Sequence, residues 1–187
     1  MNWEEYLNNS LAVIEKLDSK EIKENISGSI NLISSSISNN KALLVCGNGG
    51  SASDAMHITG ELVGRFLLER KALNAISLSS NPSILTAWSN DYSYETVFSR
   101  QVEAHAEISG SIICISTSGT SKNVILAAEA AKENGLGVVS LTGESGGDLF
   151  ELSDFIVRIP SDSVPLIQQG HLIAYHFICM GIEKNFL

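Results

Sequence analysis

His57 and Glu61 stand four residues apart, which puts an imidazole and a carboxylate on one face of a helix. Just ahead of them, Gly47-Asn48-Gly49-Gly50-Ser51 follows the apolar run Ala42–Cys46. The pattern is a strand, a tight glycine turn and a helix opening on a serine. Glycines at such a turn let backbone N–H groups come close to an anionic or hydroxyl-rich ligand. A base and a carboxylate one helical turn apart, beside such a loop, have the make-up of the front half of an active site.

A second cluster follows the third apolar run: Ser116-Thr117-Ser118-Gly119-Thr120-Ser121, ahead of a helix predicted over Lys122–Glu133. Hydroxyls and unpaired N–H groups meeting at a helix N-terminus bind phosphate without a lysine, through the macrodipole and orphan donors. An ordinary N-cap would need only one Ser or Thr, and the cluster exceeds that need. Asn90-Asp91, after a loop carrying Trp88, can be a plain turn or part of a site. Gln168 and His176 fall on the last helix, where a lone histidine is more often a hydrogen-bonded core residue. Eight residues separate them, roughly 12 Å along a straight helix and about 80° around it. His105 and His171 have no nameable partner and read as structural.

Nucleotide readings fail. Gly47–Ala52 fits G-x-G-x-x-A after a strand, but the next strand ends Leu78-Ser79-Ser80, with no acidic residue for a ribose. No Gly-Lys-Ser/Thr follows either, which removes a P-loop. A formal charge of −9 over 187 residues argues against nucleic acid, so any phosphate must be held by local dipoles. No apolar run nears the roughly 20 residues that span a bilayer. The acidic, amphipathic start Met1-Asn2-Trp3-Glu4-Glu5 does not read as a signal peptide, and a cytoplasmic location is expected. Cys46, Cys114 and Cys179 are odd in number, lie in apolar stretches and lack metal-type spacing, so they read as buried hydrophobes.

The elements that must position these groups are legible. Five apolar runs read as strands covered on both faces: Ala42–Cys46, Asn74–Leu78, Ser111–Ser116, Gly137–Thr142 and Phe155–Ile159. Helical patterns between most of them predict an α/β protein with a parallel sheet sandwiched by helices. Two amphipathic helices, Trp3–Leu17 and Ile22–Ile37, precede the sheet without a Pro/Gly-rich linker. The reading is one domain over 1–187, with residues 1–39 a helical arm and 40–187 the sheet and its helices. The arm packs either on a neighbouring subunit or on its own sheet. The final helix, about Pro165–Lys184, is apolar nearly all round, which predicts burial in the domain or in an oligomer interface.

Taken together, these segments resemble the phosphoheptose isomerases of the sugar isomerase (SIS) domain superfamily. The resemblance is carried by Gly47–Ser51 through Asp54-Ala55-Met56-His57 and Glu61-Leu62, by Asn90-Asp91, and by Phe98–Ala104. Ile115–Gly119, Ser121–Val124, Leu141-Thr142-Gly143 and Ile167-Gln168 with His176 continue it in order, from about residue 40 to the C-terminus. It implies a three-layer α/β/α sandwich on a five-stranded parallel sheet, a homotetramer, and active sites at subunit interfaces. The implied substrate is a sugar phosphate: sedoheptulose 7-phosphate converted to D-glycero-D-manno-heptose 7-phosphate, the first step toward nucleotide-activated heptose for bacterial lipopolysaccharide, capsule or other surface glycans.

By motif, the resemblance assigns substrate contacts to Asn48, Gly49, Gly50, Ser51, Asn90 and Asp91, and the phosphate to Ser116, Thr117, Ser118 and Ser121. It sets His57, Glu61, Gln168 and His176 at the reacting end, where several members bind zinc. Moving a proton between adjacent carbons needs a base and a partner that handles the oxygen-bound proton. Glu61 and His176 suit those roles. Alternatively Glu61 serves chiefly the zinc, whose Lewis acidity polarises the carbonyl. The chain departs from the pattern at Pro165-Leu166-Ile167-Gln168-Gln169-Gly170, where many members have Arg-Ile-Gln-Glu, and that bears on substrate identity. The rival reading is a non-catalytic SIS protein, a phosphosugar sensor or the replication-initiator adaptor. The adaptor lacks the glutamate and last histidine that this chain has.

Overall fold

A computed structural model describes residues 2–187; Met1, the first residue of the domain read as 1–187, lies outside them. Five strands form one sheet: β1 (Ala42–Gly47), β2 (Ala75–Ser77), β3 (Ser109–Ser116), β4 (Gly137–Gly143) and β5 (Phe155–Ile159). All neighbouring pairs are parallel, in the order β2-β1-β3-β4-β5. The inner strands are apolar on both faces because both faces are covered, as the unbroken runs predict. Edge strand β2 is shorter than the predicted Asn74–Leu78 and only half-buried.

Alternate side chains of one strand feed two separate cores. Leu43 and Val45 join Ile113, Ile115, Val139 and Leu141 on one face. Leu44 and Cys46 join Ile112, Cys114 and Val138 on the other. The first core is roofed by α2 (Lys20–Ser38), α3 (Gly50–Val63) and α8 (Val164–Lys184), the second by α5 (Val97–His105) and α6 (Lys122–Glu133). This is the α/β/α sandwich expected. A short α7 (Leu149–Leu152) links β4 to β5.

Trp88 belongs to a helix, α4 (Pro82–Asp91), where the sequence reading put a loop. Asn81 caps that helix, accepting from the N–H of Ser83 and Ile84, and Pro82 opens it with a preset φ. A Ser- and Asn-rich segment without a wide apolar stripe concealed it.

The two N-terminal helices differ in their packing. In α2, Ile22, Ile33 and Ile37 are buried in the domain's own core. In α1 (Trp3–Lys16), begun by a capping box between Asn2 and Glu5, Leu7, Leu11 and Ile14 remain exposed and Trp3 is 73% exposed. The final helix likewise buries one face, including Ile167, Tyr175, Ile178 and Ile182, and exposes Leu172, Ile173 and Phe177 on another. Among the described residues no helix is long and apolar enough to cross a membrane.

Candidate active site

The chain leaves β1 toward β2 on one side of the sheet and reaches β3 on the other. The carboxyl ends of β1 and β3 therefore flank a topological switch point, the usual ligand crevice of an open α/β sheet. Both singled-out loops emerge there. Gly49, at φ +56°, takes a backbone conformation that side chains rarely adopt and sits at the N-cap of α3. Asn48 is fixed by a reciprocal pair with the Asn123 carboxamide (2.8 and 2.9 Å), and its oxygen also accepts from the Tyr94 hydroxyl at 2.7 Å. Ser51 is buried in the first turn of α3, its N–H bonded to Asn48 O.

At the second loop, the Ser121 side chain does not cap α6. Instead its Oγ lies 3.0 Å from Ser116 Oγ, which is 3.4 Å from Ser118 Oγ. Val124 and Ile125 are the first residues of α6 to return their N–H groups, both to Ser121 O. The amides before them have no helical acceptor, as at any helix start. Thr117 and Ser118 line a cavity of about 450 Å³ with Gly143, Ser161 and Asp162. A converging set of hydroxyls at a helix N-terminus, opening on a cavity, can receive a phosphate.

Helices α3 and α8 carry His57, Glu61, Gln168 and His176, and they run side by side in the same direction. A side chain added at Gly50 would collide with the Gln168 carboxamide. Seven residues further along each helix, His57 Nδ1 lies 2.9 Å from the Tyr175 hydroxyl. On its other side, His57 Nε2 lies 2.9 Å from Glu61 Oε1 and 3.5 Å from His176 Nε2. One donor atom each from His57, Glu61 and His176 lies within 4.8 Å of the others, so these three can hold a metal ion. Nitrogen and oxygen donors in this number, with an open position, suit zinc. Gln168 stands about 12 Å before His176 along the helix, against Gly50. Asn90 and Asp91 end α4, exposed and hydrogen-bonded to each other at 2.9 Å.

Electrostatics follow from burial. Burial, and next the charge of His57, pushes the His176 imidazole below the ordinary histidine range, against the pull of Glu61. Burial, then the charge and hydrogen bond of Asp54, pushes the Tyr175 phenol up, so its hydroxyl keeps its proton. Burial raises the Asp54 carboxyl, partly offset by the Tyr175 hydrogen bond and by His57. His171 is buried, its Nε2 3.1 Å from Thr142 O, which agrees with its structural reading.

The sequence reading missed Tyr175, Tyr94 and Asn123 as partners of site residues. Tyr175 follows from helix arithmetic once α3 and α8 are paired. Nothing local to Tyr94 or Asn123 points to Asn48.

The chain matches the SIS domain family over residues 5–143. It is 47% identical over 182 residues to a phosphoheptose isomerase of Helicobacter pylori (strain P12), covering 97% of this chain and 94% of that one. To a phosphoheptose isomerase of Crocosphaera subtropica it is 54% identical over 143 residues, 76% of this chain and 73% of that one. Among solved structures, a phosphoheptose isomerase from Francisella tularensis superposes with a TM-score of 0.89 at 32% identity, covering 97% and 96% of the two chains. One from Neisseria gonorrhoeae gives 0.86 at 32%, covering 96% of each. With a glycine loop and a hydroxyl nest at the carboxyl ends of β1 and β3, an imidazole–carboxylate group further along α3, and these relatives, the chain belongs to the SIS domain family and, within it, to the phosphoheptose isomerases.

Proposed function

We propose that the protein is an aldose–ketose isomerase that converts sedoheptulose 7-phosphate to D-glycero-D-manno-heptose 7-phosphate. The single observation carrying this reading is the meeting of Glu61 with two imidazoles from helices far apart in sequence, in a chain that also carries a phosphate-type nest. The relatives' shared name agrees with it.

In this reading Ser116, Thr117, Ser118 and Ser121 take the phosphate. Asn48, Gly49, Gly50, Ser51, Asn90, Asp91 and Gln168 meet the sugar hydroxyls. Glu61 removes the C1 proton of the ketose, giving an enediol, and returns a proton to C2. His176 moves the proton between O2 and O1, so that no proton is gained or lost overall. Glu61 Oε1 faces His57, which leaves Oε2 for the carbon-bound proton. His57, Glu61 and His176 would hold a zinc ion, joined by Gln168 if its side chain swings from Gly50 toward them. When bound, the ion would supply Lewis acidity at the carbonyl.

The exposed apolar faces of α1 and α8 support a homotetramer. A cytoplasmic enzyme at the head of heptose activation for surface glycans, lipopolysaccharide or capsule, fits this chemistry. The test is conversion of sedoheptulose 7-phosphate followed by NMR, with and without chelator. Formation of the aldose, slowed by chelator, is expected; a silent wild-type protein that still binds the sugar phosphate would contradict the reading.

A further inference from the structure

Behind the His57–Glu61–His176 group lies a buried charged pair with no part in the chemistry so far. Arg70 Nε lies 3.2 Å from Glu183 Oε1, with the side chains 1% and 0% exposed. The Glu183 carboxylate also accepts the backbone N–H of Phe66 (3.2 Å), Leu67 (2.9 Å) and Leu68 (3.1 Å). Arg70 turns its other nitrogens to the end of α3, where Nη2 donates to Glu61 O at 2.8 Å and Nη1 to Gly64 O at 3.2 Å, and Nη1 also donates to the neighbouring Lys71 O at 3.0 Å.

A desolvated ion pair is weak evidence for stability, because burying two charges offsets most of their attraction. What distinguishes this one is where its hydrogen bonds go. The three amides gathered by Glu183 belong to the turn that carries Phe66, and the Phe66 ring is stacked on the His176 imidazole, 5.5 Å between centroids and 22° between planes. Through Arg70, the same pair grips the carbonyl of Glu61 itself.

We infer that Glu183 is a positioning residue for the isomerisation. It orders the 66–68 turn so that Phe66 lies flat on His176, and through Arg70 it anchors the helix end bearing Glu61. One buried carboxylate thereby sets the spacing of the two groups that move protons. The inference rests on the assignment of Glu61 and His176 to proton transfer. It adds a residue, seven positions beyond His176, that touches neither substrate nor metal.

The test is NMR of the full-length protein with 13C-labelled histidine, at one alkaline pH, comparing wild type, Glu183→Gln and Phe66→Leu. The His176 ring protons are expected upfield in the wild type, displaced by the Phe66 ring current, and that displacement is lost in Phe66→Leu. Loss of the displacement in Glu183→Gln as well supports the inference; a wild-type shift in Glu183→Gln overturns it. Phe66→Leu leaves the buried pair intact, so it decides the matter kinetically if Glu183→Gln does not fold. Its kcat should fall about tenfold with KM within about twofold, and an unchanged kcat overturns the inference. The NMR shift needs no turnover, so an inactive wild type would count against the proposed reaction without touching this result.

Discussion

Both ring nitrogens of His57 are engaged, and its Nδ1 is held 2.9 Å from the hydroxyl of Tyr175, a residue 118 positions away. The hydroxyl lies 3.4 Å from Asp54 Oδ1, to which it donates. A phenol that donates to Asp54 can accept from His57 Nδ1–H, and in that tautomer Nε2 carries the lone pair that a metal ion shared with Glu61 and His176 would need. A metal-binding imidazole is set by such a partner on its other nitrogen.

Tyr175→Phe removes that partner while preserving the ring. Zinc affinity, measured by competition with a chromophoric chelator, should fall about 10- to 100-fold. Affinity equal to that of the wild type would show that the hydroxyl does not orient His57.

The hydroxyl nest makes a separate prediction. Ser116, Ser118 and Ser121 bond to one another, so each can turn its donor to an incoming phosphate. Hydrogen bonds to a charged group contribute about 1.5–3 kcal/mol each, so Ser118→Ala with Ser121→Ala should raise KM on the order of 100-fold or more. The kcat should change little, because the phosphate contacts are the same in ground and transition states. Steady-state kinetics on the double variant give the answer, and a fall confined to kcat would contradict the assignment.

His171 predicts a pH dependence of stability. Burial pushes its imidazole down to about 4, partly countered by the Thr142 carbonyl. The unfolded chain takes up a proton near the ordinary value of 6.5, which the folded protein refuses until about 4. Stability is therefore full above 6.5 and declines as pH falls toward 4, by about 3 kcal/mol over the window. Urea denaturation of wild type and His171→Gln at several pH values in that range checks this. The variant should show a shallower decline; parallel curves would contradict it.

What could be read in advance divides along physical lines. Strands β1, β3 and β4 announced themselves because burial on both faces demands long apolar runs, while the edge strand β5 showed as a shorter run broken by half-buried Arg158. The loops after β1 and β3 stood out because glycine and clustered hydroxyls have few other uses. Helix α4 did not, since its start depends on Asn81 and Pro82 rather than on an apolar stripe. Residues acting through distant partners also stayed hidden. The carboxylate of Glu183, the guanidinium of Arg70 and the hydroxyl of Tyr175 gain their significance only when α3 and α8 lie side by side. Helix geometry separates Gln168 from His176 by just over two turns, and the structure sets Gln168 at Gly50, well before the imidazoles.

Loss of the C2 proton of heptose 7-phosphate to deuterated water, followed by NMR, tests the role of Glu61 most directly. Wild-type protein should exchange it, and Glu61→Gln, still binding the sugar phosphate, should leave it in place. Exchange at the wild-type rate in Glu61→Gln would remove this carboxylate from the proton-transfer step.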